Sequence, residues 1–331
     1  MSIIAEWLPS LACPLDHSEL KLHKDILICG RGCRYPVIDG IPVMLVEDVE
    51  PTHHYCCETL RQIKGKEKMS SPIGFNPTDG SEIDPFVQKE IVGTCGHMYR
   101  SARLTRYPIP GDLPLEEGNG KIFLDIGSNW GRWAVAAARK GYRSAGLDPS
   151  LEAVMALRRV SRQLGVSVFP LVGDARFLPF RDEAVDVAFS YSVFQHFDKQ
   201  VAKRAIMEAG RVCKTGGLVL VQMPNKWGIR QSMNRFKQWL VKDNNPFRVR
   251  YWSPSELHAT FSSLIGPTEI FVDGFFSLNP RPSDIDLLPW HYAAIIYFSA
   301  FLCYLSKKCI WLTFIADSLW IKSFKMGQSS L

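Results

Sequence analysis

The stretch Leu124-Asp125-Ile126-Gly127-Ser128-Asn129-Trp130-Gly131, followed by the acidic dipeptide Asp148-Pro149, decides the reading of this chain. Apolar residues surround a carboxylate, two glycines permit a tight turn, and the start of a helix follows. A second strand then delivers Asp148 to the same edge of the sheet. That order builds a nucleoside-binding crevice at the carboxyl ends of parallel strands.

The next hundred or so residues continue the pattern. Val166-Ser167-Val168-Phe169-Pro170-Leu171-Val172 reads as a third strand and ends in Gly173-Asp174-Ala175. Ala184-Val185-Asp186-Val187-Ala188-Phe189-Ser190 reads as a fourth, with Tyr191 to Phe197 behind it. Arg211-Val212-Cys213-Lys214-Thr215-Gly216-Gly217 closes a helix and turns into the strand Leu218-Val219-Leu220-Val221-Gln222-Met223. Strands alternating with helices at this spacing predict a doubly wound, mostly parallel α/β sheet. A dinucleotide fold wants glycine in the middle of the turn, so that pyrophosphate can approach the backbone; Asn129 stands there. Asp125, inside the turn, would repel a pyrophosphate but suits a cationic ligand.

These residues, about 120 to 225, resemble the class I S-adenosylmethionine-dependent methyltransferases, whose cofactor carries an ammonium and a sulfonium and no phosphate. The resemblance implies a seven-stranded Rossmann-like sheet and S-adenosylmethionine as cofactor. It places Asp125, Gly127, Ser128, Asn129 and Gly131 around the methionine moiety and Asp148 at the ribose hydroxyls. Asp174 faces the adenine amine, the Ala175 amide lies near a ring nitrogen, and Ser190 joins the cofactor set. Asn129 departs from the usual glycine, yet Asn tolerates the left-handed conformation better than most residues. Asp125 or Asp174 taken singly reads as a helix cap; five landmarks in the right order favour a shared crevice. His196, just past the fourth strand, is the candidate general base, with Tyr191 a second, although a good nucleophile needs only alignment and desolvation.

The chain of 331 residues is long enough for two domains, with ordinary hydrophobic (46%) and charged (22%) content. A formal charge of +6 does not by itself imply nucleic acid. The first residues lack a basic, apolar leader, and nine cysteines without a secretory signal predict reduced thiols in the cytoplasm.

Residues 1–50 read as a separate zinc-ribbon-like domain. Cys13-Pro14-Leu15-Asp16 and Cys29-Gly30-Arg31-Gly32-Cys33 are two short knuckles flanking a hairpin. The run Tyr35-Pro36-Val37-Ile38-Asp39-Gly40-Ile41-Pro42 resembles small zinc-ribbon proteins that accompany, or are fused to, certain methyltransferases. One expected cysteine is Asp16, so Cys13, Cys29 and Cys33 need Asp16 or His17 to complete a structural zinc site; the other reading is that the metal is lost. Residues 51–85 read as a loosely packed linker, and 86–331 as the methyltransferase domain.

Residues 86–106 look helical, with Arg100, Arg103 and Arg106 on one face. An insertion at 226–252 carries Lys226, Arg230, Arg235, Lys237, Lys242, Arg248 and Arg250 against Asp243, interleaved with Trp227, Phe236, Trp239 and Phe247. Ile229, Met233, Phe236 and Leu240 form its apolar stripe. A lid over an anionic acceptor, a lipid-headgroup surface or an RNA contact all fit this composition. Leu287–Ser306 could span a bilayer by length, but Ala316–Lys325 reads as the last strand. A single crossing would strand it on the wrong side, so residues 285–316 are expected to form an apolar helical insertion before the last strand. Its aromatic residues suit a homodimer or protein interface, a lipid-like acceptor tunnel or a peripheral membrane contact. Methyl transfer to a small or lipid-linked acceptor, at oxygen or nitrogen, is the leading expectation. An RNA (tRNA or rRNA) methyltransferase comes next and a non-catalytic adaptor last.

Overall fold

The computed structural model describes residues 3–47, 54–65, 82–233, 249–276 and 279–327. A short helix, α1 (Ile3–Trp7), leads into four antiparallel strands: β1 (Leu20–His23), β2 (Ile26–Cys29), β3 (Arg34–Ile38) and β4 (Ile41–Pro42). So small a sheet has little core of its own, and it borrows one. Trp7 stacks on Phe169 with ring centroids 5.1 Å apart. The Ala12 amide donates to Pro179 O (3.2 Å) and the Met44 amide to Val172 O (2.8 Å). Leu11, Leu27 and Tyr35 thus belong to the same buried cluster as Leu171 and Phe180.

Residues 54–65, read in the sequence as linker, form helix α2 (His54–Gly65). It buries Cys56 with Leu60 and Ile63 against Leu151, Val154 and Met155. Its Thr59 hydroxyl donates to Pro149 O (2.8 Å) and accepts from the Leu151 amide (3.1 Å). The expected long helix at 86–106 is a correction. Helix α3 (Pro85–Cys95) stops at Gly96, whose φ of +104° no α-helix accommodates. A 3-10 turn at His97–Ser101 follows, and Arg103 and Arg106 are drawn off by Leu287 O and Asp286. The arginines do not share a helix face.

The remaining elements are β5 (Ile122–Ile126), α4 (Arg132–Arg139), β6 (Arg143–Asp148), α5 (Leu151–Gln163), β7 (Val168–Val172) and β8 (Val185–Tyr191). Then come α6 (Lys199–Val212), β9 (Cys213–Pro224), α7 (Pro254–Leu264), β10 (Thr268–Gly274), α8 (Ala293–Ser306), α9 (Trp311–Ile315) and β11 (Ser318–Phe324). The sheet order is β10-β11-β9-β8-β5-β6-β7, with β11 antiparallel to both neighbours and the strands from β9 to β7 parallel. This is the mostly parallel seven-stranded methyltransferase fold expected, with a β-rich amino-terminal unit and a helical insertion before the last strand. Helices on both faces explain why β5 and β7 are buried at every position. Leu124, Ala188, Val219 and Ile321 meet α6 and α7 on one face; Phe123, Phe189, Tyr191 and Trp320 meet Trp133 of α4 on the other.

The apolar run at 287–306 is broken by Pro289 and a 3-10 turn at Trp290–Tyr292. Its helical part, α8, has 14 residues. Among the described residues no helix is long and apolar enough to cross a membrane.

Candidate cofactor crevice and thiol cluster

The β5–α4 turn is shaped by backbone that most residues cannot adopt. Gly127, Asn129 and Gly131 have φ of +80°, +46° and +88°. Asn129 is therefore left-handed, as the sequence requires of a residue replacing glycine, and its Oδ1 accepts from the Trp130 amide (2.8 Å). A Cβ on Gly127 would collide with the Val193 side chain, and one on Gly131 would lie 2.7 Å from Leu157 Cγ. Gly127→Ala adds left-handed strain of about 1–2 kcal/mol to overpacking of about 1–3 kcal/mol. The expected outcome is a lower melting temperature and weaker cofactor binding, read by thermal melts with and without ligand.

Three carboxylates collect at this edge. Asp125 is buried, and its Oδ2 accepts from the Ala134 amide in the first turn of α4 (3.0 Å). It therefore does cap the helix, and one oxygen remains for a ligand. Burial, opposed by that amide and reinforced by the charge of Asp148, pushes its pKa up to about 8. Asp148 accepts from the Asn129 amide on Oδ2 (2.9 Å) and the Ser150 amide on Oδ1 (3.0 Å). Burial raises it to about 6 despite both amides. A carboxylate offers about four acceptor positions, so two remain on Asp148 beyond the amides, enough for a pair of vicinal hydroxyls. Ser128 is buried, and its Oγ has no hydrogen-bond partner among the described residues. An unpartnered buried hydroxyl at the same edge as two under-neutralised carboxylates suits a polar, cationic ligand.

Asp174 sits just beyond β7 and is held by Arg176, whose Nη2 lies 2.6 Å from Oδ2 and whose amide lies 2.8 Å from Oδ1. Both side chains are buried. Sequence reasoning missed Arg176; a basic residue two positions after an acid in a turn was the available signal. It also missed the support that Thr59 gives to the Asp148-Pro149-Ser150 loop. Ala175 is buried in the same turn. Ser190 spends its hydroxyl on Ile126 O (2.9 Å), pinning β8 to β5 below the turn.

The two catalytic candidates separate. His196 ends a 3-10 turn at Phe194–His196, in the loop whose Val193 covers Gly127, and its carbonyl accepts from Arg250 Nη1 (2.6 Å). The end of the basic insertion is thereby docked on the His196 loop. Tyr191 turns to the other face of the sheet, beside Trp133 (4.6 Å), and donates to Asp273 Oδ2 (3.1 Å). Arg281 Nη2 binds the same carboxylate at 2.5 Å, and burial raises the Tyr191 pKa further. From Asp273 the polar chain continues through Ser318 and Gln222 to Ser192. Of the basic insertion, Lys226 to Met233 and Val249 to Trp252 are described; Arg235, Phe236, Lys237, Trp239, Leu240, Lys242, Phe247 and Arg248 lie outside the described residues.

In the amino-terminal unit the sulfurs of Cys13, Cys29 and Cys33 lie within 4.8 Å of one another. That donor set fits a thiophilic metal. Asp16 accepts from the Ser18 amide (3.0 Å) and hydroxyl (2.6 Å) and pairs with Arg31 (3.2 Å). Neither it nor His17 joins the three sulfurs within that distance, and Cys13 Sγ lies 3.2 Å from the Tyr35 hydroxyl.

With this geometry in place, the comparisons define a class. Residues 123–217 match the family described as a methyltransferase domain, and they contain the turn, all three carboxylates and His196. The chain thus carries a class I methyltransferase domain on its seven-stranded sheet. It is similar to an uncharacterised methyltransferase of Mycobacterium leprae, 31% identical over 134 residues, covering 37% of this chain and 46% of that protein. It is also similar to a tRNA (carboxymethyluridine(34)-5-O)-methyltransferase of Arabidopsis thaliana, 30% identical over 197 residues, covering 56% and 41%. The chain thus spans less than half the length of either relative. Among solved structures, a methyltransferase of Methanosarcina mazei superposes with a TM-score of 0.45 at 18% identity, over 64% of this chain and 94% of that one. A complex of the Trm112 methyltransferase activator with a methyltransferase from Haloferax volcanii gives 0.42 at 18% identity, over 74% and 93%.

Proposed function

We propose that the protein transfers a methyl group from S-adenosylmethionine to a nucleophilic oxygen or nitrogen of a small or lipid-linked acceptor. The observation that carries this reading is the set of carboxylates Asp125, Asp148 and Asp174 at successive parallel strand ends, with the first two held above the usual carboxylate range. A ligand with an ammonium group neutralises Asp125, and its ribose hydroxyls donate to the remaining positions on Asp148. Asp174, fixed by Arg176, and the Ala175 amide receive the adenine edge. Ser128 Oγ, Asn129 and the glycine turn surround the methionine portion, with Ser190 behind them.

The acceptor lone pair attacks the methyl carbon in line, the carbon–sulfur bond breaks with its electron pair on sulfur, and S-adenosylhomocysteine leaves. The sulfonium charge disappears in that step, which loosens the product's hold on an acidic crevice. His196, in the loop over the turn, takes the acceptor proton as a hydroxyl or an amine attacks; Tyr191, engaged by Asp273 and Arg281, is a structural support. The basic insertion and aromatic hairpin favour an anionic or lipid-like acceptor. Cys13, Cys29 and Cys33, completed by Asp16 or His17, would hold a structural zinc ion, which would supply a cross-link to a unit with little core and no part of the transfer. Nine cysteines favour a cytoplasmic setting, and the aromatic hairpin favours a position peripheral to a membrane.

RNA is the second reading, favoured by the named activity of the Arabidopsis relative. Both are tested by transfer of labelled methyl from S-adenosylmethionine into a fractionated cell extract, with His196→Ala alongside. Label in the solvent-extractable or small-molecule fraction supports the first reading. Ribonuclease-sensitive label replaces it with the second. No incorporation by a protein that binds the cofactor and has been offered both fractions rejects the two together.

A further inference from the structure

Helix α8 is apolar on every side. Its inner face, Ile296, Ser299 and Cys303, packs on the end of β10, with the Ser299 hydroxyl bonded to Phe275 and the Cys303 thiol beside Asp273 O. Its outer face, Ala294, Tyr297, Phe298, Phe301 and Tyr304, recurs at helical spacing and is exposed. A helix that is hydrophobic all round is normally covered on both sides. Beyond it, Ile310 (71% exposed), Trp311 (76%) and Phe314 continue the surface through α9, and Trp290 (87%) opens it.

The surface reaches past the hairpin. Buried Asn225 donates to the carbonyls of Phe314 (2.9 Å) and Ala316 (2.8 Å), and Asp317 Oδ1 accepts from the Arg230 and Gln231 amides. The chain leaving β9 is thereby stitched to the hairpin, and its Trp227, Ile229 and Met233 are exposed as well.

Charge identifies the occupant. Residues 287–316 contain no Asp or Glu, and the turn between α8 and α9 presents Lys307 and Lys308, both exposed. The two carboxylates just ahead are neutralised, Asp284 by Arg132 (3.1 Å) and Asp286 by Arg106 (2.5 Å). Lysine is depleted in the cores of protein–protein interfaces. Apolar and aromatic side chains flanked by a pair of lysines match an anionic headgroup layer. The 14-residue α8 is about 21 Å long, too short for a hydrocarbon core of about 30 Å, so it can lie in the interface but not cross it.

We propose that the α8–α9 hairpin docks the protein onto the surface of an anionic phospholipid bilayer, with Trp290, Phe301 and Trp311 entering the headgroup region and Lys307 and Lys308 meeting the phosphates. The inference rests on this surface and not on the methyl-transfer reading.

The test is flotation of the full chain with vesicles of phosphatidylcholine alone and of phosphatidylcholine with phosphatidylglycerol at about 7:3. Trp290→Asp/Trp311→Asp and Lys307→Glu/Lys308→Glu variants run in parallel, their folding checked by melting temperature. All four positions are exposed, so both variants should melt as the parent does. The parent should partition at least about tenfold more strongly onto the anionic vesicles. The tryptophan variant should lose that binding, and the lysine variant should bind at least about 25-fold less, since losing two lysines alone costs roughly fivefold each from about 1 kcal/mol near an anionic surface and the new glutamates add repulsion. Absence of binding by the parent overturns the proposal. So does binding that survives both variants, or a dimer in sedimentation that Trp311→Asp disperses without any vesicle binding by the parent.

Discussion

Asp125→Asn is expected to weaken S-adenosylmethionine binding about 10- to 100-fold while making the ligand-free protein more stable near pH 8. The amide keeps the shape of the site and its oxygen still accepts from the Ala134 N–H that Asp125 now holds. What disappears is a buried charge. Asp125 rises from an ordinary 3.8 to about 8 on folding, and Asp148 from 3.8 to about 6. A raised carboxylate contributes stability that is complete below the unfolded value and lost as pH climbs through the folded one. Ligand-free wild-type protein should therefore lose stability between about pH 5 and pH 8, and Asp125→Asn should lose less of it. Binding runs the other way, because the cofactor's ammonium favours ionised Asp125. Affinity should rise with pH by up to about tenfold per unit for each proton released. A lost charge-assisted hydrogen bond of about 1.5–3 kcal/mol gives the expected range of weakening. Melting curves from pH 5 to pH 8, with and without cofactor, check both halves. A variant that melts lower than wild type at pH 8 would show that Asp125 acts as a cap and nothing more.

Asp148→Ala should be costly in both respects, and that contrast separates the two carboxylates. Removing it strands the Asn129 and Ser150 amides, each a buried donor worth about 1–3 kcal/mol when unsatisfied. The same change deletes the acceptors offered to the ribose, so affinity should fall by about 100-fold or more, from two charge-assisted hydrogen bonds. Asp148→Asn keeps the side chain's volume and should recover part of the stability but little of the affinity. Titration calorimetry on the three proteins reads this; unchanged cofactor affinity in Asp148→Ala would remove the ribose assignment.

Much of this architecture was legible because parallel strands covered on both faces must be apolar throughout. Val168–Val172 and Val185–Tyr191 could hardly be read otherwise. The turn was legible because Gly127, Asn129 and Gly131 are residues that tolerate the left-handed backbone they adopt. The helical hairpin ahead of the last strand followed from topology, since a single crossing would have left Ser318–Phe324 without a sheet to join.

What stayed hidden depended on contacts distant in sequence. Helix α2 has a mixed composition, and its apolar side emerges only against Leu151 and Val154. The arginines at 100, 103 and 106 matched a helical period, but a single glycine at 96 ended the helix before it reached them. Tyr191 was open to a better reading: it shares strand parity with Phe189, so its hydroxyl goes to the α4 side, where Asp273 and Arg281 wait. Asp16 could ligate by residue type; that its carboxylate also accepts from Ser18 and pairs with Arg31 depends on a turn the residue type does not announce.

Equilibrium titration of the full chain with S-adenosylmethionine, and separately with NAD, tests the crevice most directly. One S-adenosylmethionine per chain is expected, with a dissociation constant of about 1–100 µM, in the ordinary range for enzyme ligands. Binding should be tighter at pH 8 than at pH 6, and NAD should not compete at millimolar concentration. NAD binding more tightly than S-adenosylmethionine, or a folded protein that takes up neither, would contradict the account.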